Sequence, residues 1–304
     1  RAIFGDKAGD VKDASLKASP SLHGVVLDKK LFARAVKDKK KRTKDKDDLT
    51  ALEMELRHAV AEHQFLLLYQ PQISANGRVT GAEALVRWCH SERGLVSPLE
   101  FIRVAETSDL IFPLGGWILE TACQQLATWS TSPMYNGLSV AVNVSARQFQ
   151  HPDFVQQVLD VLQRTGAMPS LLKLELTESM LIDNVSSIIE KMAALKACGV
   201  RFALDDFGTG YSSLGHLQQL PIDKLKIDRQ FVNEIREGNG GMFAETIVAL
   251  GQKLGLKIIA EGVETQGQLD YLKEKGCTEV QGYYFSRPVP PEAFLASLDS
   301  QLLL

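Results

Sequence analysis

The chain has 304 residues, 45% of them apolar and 23% charged, with a formal net charge of -3 and a pI near 6.1. This is the profile of a soluble globular protein with ample length for a large core. Its slight acidity argues against a broad, positively charged nucleic-acid surface and leaves room for a small nucleotide ligand. No apolar run approaches the roughly 18 residues of a membrane span, and no signal peptide is visible.

Cys89, Cys123, Cys198 and Cys277 are scattered without a Cys-x-x-Cys pair, and read as free thiols in a reducing, cytoplasmic compartment. The chain opens on Arg1, which reads as a piece of a longer chain. Residues 1–48 are poor in large apolar side chains and include KDKKKRTKDKDD, the pattern of a solvated linker or the tail of an upstream domain. From residue 49 to 304 the pattern becomes rhythmic.

LTALEMELRHAVAEHQ carries apolar residues at helical spacing, and FLLLYQPQIS then reads as a strand. VTGAEALVRW is a second strand, and FIRVAETSDLI with GGWILETACQQLATW is helical. LSVAVNVS is a third strand, DFVQQVLDVLQRTG a helix, LLKLELTES a fourth strand and VSSIIEKMAALKACG a helix with a glycine stop. RFALDDFG is the fifth strand. SSLGHLQQL then precedes KLKIDRQF, GGMFAETIVALGQKLG precedes KIIAEGVE, and TQGQLDYLKEKG precedes EVQGYYFSRP. Strands separated by helices point to a mainly parallel sheet, and eight such units match an α/β fold of the (β/α)8 TIM-barrel type. An open doubly wound sheet is the competing arrangement, but no Gly-x-Gly-x-x-Gly or Walker lysine motif accompanies it.

The C-terminal ends of barrel strands converge on one mouth. The polar residues there are Glu83, Asn143, Glu175 with Glu178, Asp205 with Asp206, Lys226 with Asp228, Glu261 with Glu264, and Gln281. Single acidic residues after strands are usually helix caps, and Glu178 and Asp228 read that way. Glu83, Asn143, Glu175, Asp205 and Glu261 share the parity expected of inward-facing positions, which capping does not require. That many carboxylates in one place repel, and a bound cation removes the penalty. Oxygen donors without histidine or thiolate select a hard ion, magnesium or manganese. The paired Asp205-Asp206 is explained if the strand stops at Asp205, freeing Asp206 from alternation, with Gly208 and Gly210 turning the backbone. Asp205 then bridges two ions about 3.5–4 Å apart, the recurrent device for phosphodiester cleavage.

EALVRW at 83–88 resembles the signature of the EAL-domain cyclic di-GMP phosphodiesterases. The likeness covers residues 50–300, with YQPQI, EALVRW, NVSARQF, LELTES, DDFGTGYSSL, LPIDKLKIDR, AEGVE and QGYYFSRP in the family's order. The resemblance implies a modified barrel whose first strand is antiparallel, and hydrolysis of cyclic di-GMP to linear pGpG with two divalent cations, Mg2+ or Mn2+. It makes Glu83, Asn143, Glu175 and Asp205 ligands of one ion, and Asp205, Asp206 and Glu261 ligands of the other. It makes Lys226 the residue that holds and polarises the attacking water, and leaves open whether Glu261 also accepts a proton. Gln70, Leu85 and Arg87 become contacts to the cyclic dinucleotide, with Gln281 ordering water or substrate. Glu264 becomes the anchor of a regulatory loop that begins Phe207, Gly208, Thr209, Gly210 and runs to Ser213, which in the family couples dimer packing to activity. A homodimer follows, as does an upstream GGDEF, PAS or receiver domain that can carry a membrane tether. The competing function is a catalytically silent cyclic di-GMP receptor, which loses metal ligands or the DDFGTG loop; no such departure occurs here.

Overall fold

The structure, a computed structural model, describes residues 39–182, 185–208, 214–235 and 241–299. The chain divides into a unit at Arg1–Asp45 and a unit at Lys46–Leu304. Most of the expected linker, residues 1–38, lies outside the described residues, as do Thr209 to Ser213 of the expected regulatory loop.

Nine strands are present among the described residues: β1 (Phe65–Ser74), β2 (Val79–His90), β3 (Gly94–Val96), β4 (Ser139–Val144), β5 (Leu172–Thr177), β6 (Arg201–Phe207), β7 (Lys224–Ile227), β8 (Lys257–Ala260) and β9 (Glu279–Val280). The helices are α1 (Lys39–Ala61), α2 (Pro98–Thr107), α3 (Ile111–Ser130), α4 (Ala146–Gln150), α5 (Phe154–Thr165), α6 (Val185–Ala197), α7 (Leu214–Gln219), α8 (Arg229–Asn233), α9 (Met242–Lys253), α10 (Gln266–Glu274) and α11 (Pro291–Asp299). Strands β2, β4, β5, β6, β7, β8 and β9 pair in that order, all parallel. β1 closes the ring by pairing antiparallel to both β2 and β9, and β3 folds back on β2 outside it. The fold is therefore a TIM-type barrel with its first strand reversed.

Alternation along each strand does the rest. In β5, Leu172, Leu174 and Leu176 are buried toward the helices, while Lys173 and Glu175 turn into the barrel. Residues two apart on successive strands fill the interior in two tiers. The tier at the mouth holds Gln70, Glu83, Asn143, Glu175, Asp205, Lys226, Glu261 and Gln281, one from each strand or its immediate end, and all polar. Below it, Gln72, Lys173, Lys224 and Glu279 hydrogen-bond among themselves.

The apolar core lies between ring and helices. Trp129 on α3 stacks on Phe294 of α11, with ring centres 5.0 Å apart, and meets the edge of Tyr69 on β1 at 5.1 Å. Tyr69 also exchanges backbone hydrogen bonds with Val289, its N–H donating at 2.7 Å and its carbonyl accepting at 3.0 Å. β1 meets β9 through only Ile73↔Val280 and Ser74↔Glu279, so the seam of the ring is covered by α11 and the strand-like segment before it. Reciprocal capping boxes start two of the helices, Ser145 with Gln148 at α4 and Thr265 with Gln268 at α10.

Three details differ from the sequence expectation. β2 runs on to His90, so Glu83 sits in the interior of a strand, opposite Gln70, and not at a strand end. β6 continues through Phe207 and does not stop at Asp205. Its pairing with β7 shifts register between Leu204 and Phe207, and Asp206 takes φ 54°. A bulge with a left-handed residue, not strand termination, frees Asp206 from alternation. No helix among the described residues is long and apolar enough to cross a membrane. All four cysteines are free, Cys89 and Cys198 exposed and Cys123 and Cys277 buried.

The α11 clamp has a measurable consequence. Phe294→Ala removes a fully buried ring from the seam and is expected to lower unfolding free energy by about 3–5 kcal/mol in urea titration. A loss below about 1 kcal/mol would mean that the seam holds without α11.

Candidate active site

Lys226 is the centre of the mouth. Its side chain is fully buried, and Nζ lies 3.0 Å from Asp205 Oδ2, 2.6 Å from Glu261 Oε1 and 3.9 Å from Glu83 Oε1, with a further close bond donated to Glu175 Oε2. Four neighbouring strands, β5, β6, β7 and the end of β8, supply the lysine and its three nearest carboxylates, and β2 supplies Glu83. Around it, Asn143 Nδ2 donates to Glu83 Oε1 at 2.6 Å, and Gln281 Nε2 donates to Glu83 Oε2 at 2.6 Å and to Gln70 Oε1 at 3.0 Å. Gln70 Nε2 in turn donates to the Ser286 carbonyl at 3.0 Å. Gln281 is placed by Gly282, whose backbone presses so closely on Val263 that an added Cβ would stand 2.1 Å from that carbonyl oxygen.

The charges in this site are not balanced. Burial is the largest influence on Glu175 and Glu261 and pushes both carboxyls up, Glu175 to about 7; Lys226 opposes the shift, while neighbouring carboxylates add to it. Lys226 itself is held above its ordinary range because the surrounding carboxylates outweigh the cost of burial. Half-buried Asp206 is raised to about 6 by burial and then by Asp205 and Asp228. Its backbone N–H donates to Asp205 Oδ1 at 2.9 Å, while Asp228 Oδ1 caps α8 by accepting from the Gln230 N–H at 2.7 Å.

Among the described residues, no three acidic, histidine or cysteine side chains surround a common point as a ready cage for an ion; Lys226 takes that position. The donor set nevertheless fits a hard divalent cation. It is all oxygen, and the buried Glu175 Oε1 and Gln281 Oε1 have no hydrogen-bond partner. Glu261 Oε1 is close to Nζ yet makes no hydrogen bond of good geometry, so it too has capacity to spare.

Leu85 and Arg87 lie on the same face of β2 as Glu83, both half-buried and stepping outward to the rim. The Arg87 guanidinium is lowered by burial, with Tyr283 and Glu83 acting against the shift, and its Nη1 donates to the Val86 carbonyl at 2.8 Å. Glu264 is not brought into the site. It is exposed, and its backbone N–H donates to Gln268 Oε1 at 2.8 Å beside the α10 cap.

Among the described residues it is Glu178, not Glu264, that touches the start of the expected regulatory loop. This buried residue opens a 3-10 turn (Glu178–Ile182) after β5, and its Oε2 accepts from the Gly208 N–H at 2.8 Å. It stands at a helical start, as its sequence position suggested, and holds the Gly208 amide as well. Tyr283 and Arg287 are further mouth residues missed in the sequence, the guanidinium lying 4.3 Å from the ring centre.

The EAL domain family model matches residues 53–288, and the chain belongs to that family. It is 44% identical over 244 residues to the signaling protein YkoW of Bacillus subtilis, a match covering 80% of this chain and 30% of that protein. It is 43% identical over 246 residues to the bifunctional diguanylate cyclase/cyclic di-GMP phosphodiesterase MucR of Pseudomonas aeruginosa, covering 80% of this chain and 36% of that one. The solved PaMucR phosphodiesterase in complex with c-di-GMP superposes with TM-score 0.77 at 42% identity, covering 80% of this chain and 99% of that structure. The chain thus spans about a third of the length of these two curated relatives.

Two outcomes follow from this geometry. Carboxyls whose pKa is raised by folding favour the fold while protonated, a contribution complete below their ordinary range and lost as pH climbs through about 6 to 7. In EDTA the urea midpoint is therefore expected to fall between pH 5 and pH 8; a flat or rising midpoint would contradict it. Separately, Glu178→Ala is expected to speed amide exchange at Gly208 by about tenfold or more, and Glu264→Ala to leave it unchanged. The reverse pattern would return the anchor to Glu264.

Proposed function

We propose that the chain hydrolyses cyclic di-GMP to linear pGpG. The observation that carries this reading is the convergence of Glu83, Glu175, Asp205 and Glu261 on Lys226 in a chain of the EAL family. The c-di-GMP complex of PaMucR, 42% identical, supports the substrate.

In this reading Glu83, Asn143, Glu175 and Asp205 would hold one divalent cation, and Asp205, Asp206 and Glu261 would hold a second. Magnesium or manganese bound there supplies charge neutralisation and a water of lowered pKa. Lys226 Nζ, fixed among its carboxylates, orients the attacking water and then stabilises charge on the phosphoryl oxygens. Glu83 is kept in one orientation by donors on both its oxygens, Asn143 and Gln281. Gln281 keeps Oε1 free to order a water or the substrate. Gln70, Leu85 and Arg87 receive the dinucleotide, with Arg87 offering its fork to a phosphate. Water adds to phosphorus, the P–O3′ bond breaks, and O3′ leaves with a proton, opening the ring once.

The same reading makes residues 1–48 the connection to an upstream domain, with the EAL unit at 49–304 acting in the cytoplasm as a homodimer. Light scattering tests the dimer.

Turnover of cyclic di-GMP with and without Mg2+ or Mn2+ is the decisive assay. Metal-dependent formation of pGpG is expected, and tight binding without product would make the chain a receptor. Glu83→Ala and Asp205→Ala are each expected to lower turnover by on the order of 100-fold or more. Lys226→Ala is expected to depress turnover more than metal affinity, and unchanged turnover would remove the lysine from the mechanism.

A further inference from the structure

The barrel opens a second time, at the N-terminal ends of its parallel strands, and there the sign of the charge is reversed. A cavity of about 670 Å3 is lined by Lys173, Arg201, Lys224, Lys257, Asp223 and Glu279, among others. Both carboxylates are already engaged. Glu279 forms a buried ion pair with Lys224, and Asp223 takes Lys196 Nζ at 2.8 Å on one oxygen and the Phe202 N–H at 2.9 Å on the other. Lys173, Arg201 and Lys257 have no ion pair among the described residues.

The depth of the site sharpens this. Lys173 is 7% exposed, and the hydrogen bond its ammonium makes goes to Gln72 Oε1 at 3.3 Å, an oxygen that Lys224 shares at 3.4 Å. Gln72 is fully buried behind both lysines, and its Nε2 finds no acceptor. Burial and the adjacent Lys224 hold Lys173 down to about 7. A buried amide donor without a partner and two lysines crowded on one carbonyl-type oxygen share one need, which is an anionic acceptor. Glu279 is the carboxylate nearest these lysines; it is paired with Lys224 and shared electrostatically with Lys173 and Lys257, one acid for three bases. Arg201 and Lys257 stand exposed at the rim, where long stems let their charges close over a ligand. The surplus is local, because the whole chain carries a net charge of -3. A concave site lined by one sign of charge concentrates the opposite ion.

We propose that the floor of the barrel binds a phosphoryl-bearing small anion, with Lys173 beneath it and Arg201 and Lys257 as its rim clamps. The cavity lies within the roughly 300–1,000 Å3 range of small-molecule sites, large enough for a diphosphate or a nucleotide. The arginine supplies a planar fork suited to phosphate oxygens, and the lysines supply point charges. The assignment rests on residues at the end of the barrel opposite the candidate active site and does not depend on the function proposed there.

Inorganic pyrophosphate is the probe, titrated calorimetrically into the whole chain in EDTA, where the acidic mouth repels anions. One saturable site is expected, weakening as salt is raised. Affinity is expected to fall about tenfold or more in the Arg201→Ala/Lys257→Ala double variant, whose substitutions lie at exposed positions and leave cyclic di-GMP turnover intact. Lys173→Gln is expected to weaken binding similarly. Absence of saturable binding at millimolar pyrophosphate, or an affinity unchanged in the rim variant, overturns the proposal.

Discussion

One buried ammonium set among four carboxylates governs the mouth of this barrel. Lys226 cannot leave, because Glu175, Asp205 and Glu261 would then be buried charges without a counterion, an arrangement that typically costs several kcal/mol. Nor can it finish the task, because one positive charge faces Glu83, Glu175, Asp205 and Glu261 together. At an effective dielectric near 20, two like charges 4 Å apart repel by about 4 kcal/mol. The remainder is carried as raised carboxyl pKa values and as oxygens without donors. The site is thus poised by its own imbalance to take up further positive charge, and the fold is built to hold that imbalance in place.

The imbalance arises from a simple rule of strand geometry. Side chains two residues apart share a face, so each strand that sends one group to the mouth sends another to the floor. Lys173 accompanies Glu175, Lys224 accompanies Lys226, and Glu279 accompanies Gln281. The mouth sets four carboxylates around one lysine and the floor sets Lys173 and Lys224 around one glutamate, an opposite excess of charge at the two ends that neither composition nor net charge reveals. Outward-facing leucines, valines and isoleucines on the same strands seal the ring against the helices and keep both tiers in register.

The strands and their inward residues were legible in the sequence because period-two alternation and apolar runs are local signals. The failures came where the decisive fact was non-local. Glu175 and Glu178 stand three apart across the end of β5, and Glu261 and Glu264 stand three apart after β8. Spacing alone therefore offers two equal candidates for the loop anchor. Sheet order separates them, because β5 is the immediate neighbour of β6 while β7 lies between β6 and β8. The conformation of Asp206 was hidden for a different reason. A left-handed aspartate in mid-strand is uncommon and carries no marker, so the glycines at 208 and 210 drew attention to the wrong place. The floor was missed because the C-terminal strand ends were searched for polar groups, and Lys173 and Lys224 stand two residues before Glu175 and Lys226.

The reversed first strand also decides where the polypeptide comes in. In a uniformly parallel barrel the opening strand starts at the base, remote from the chemistry. Here Phe65 pairs with Trp88, beyond Glu83, so α1 hands the backbone over at the acidic mouth and Gln70 follows within the same strand. The entry point and the candidate site therefore share one edge of the barrel, and a twist or tug arriving through that helix has only a few bonds to travel before it reaches Gln281.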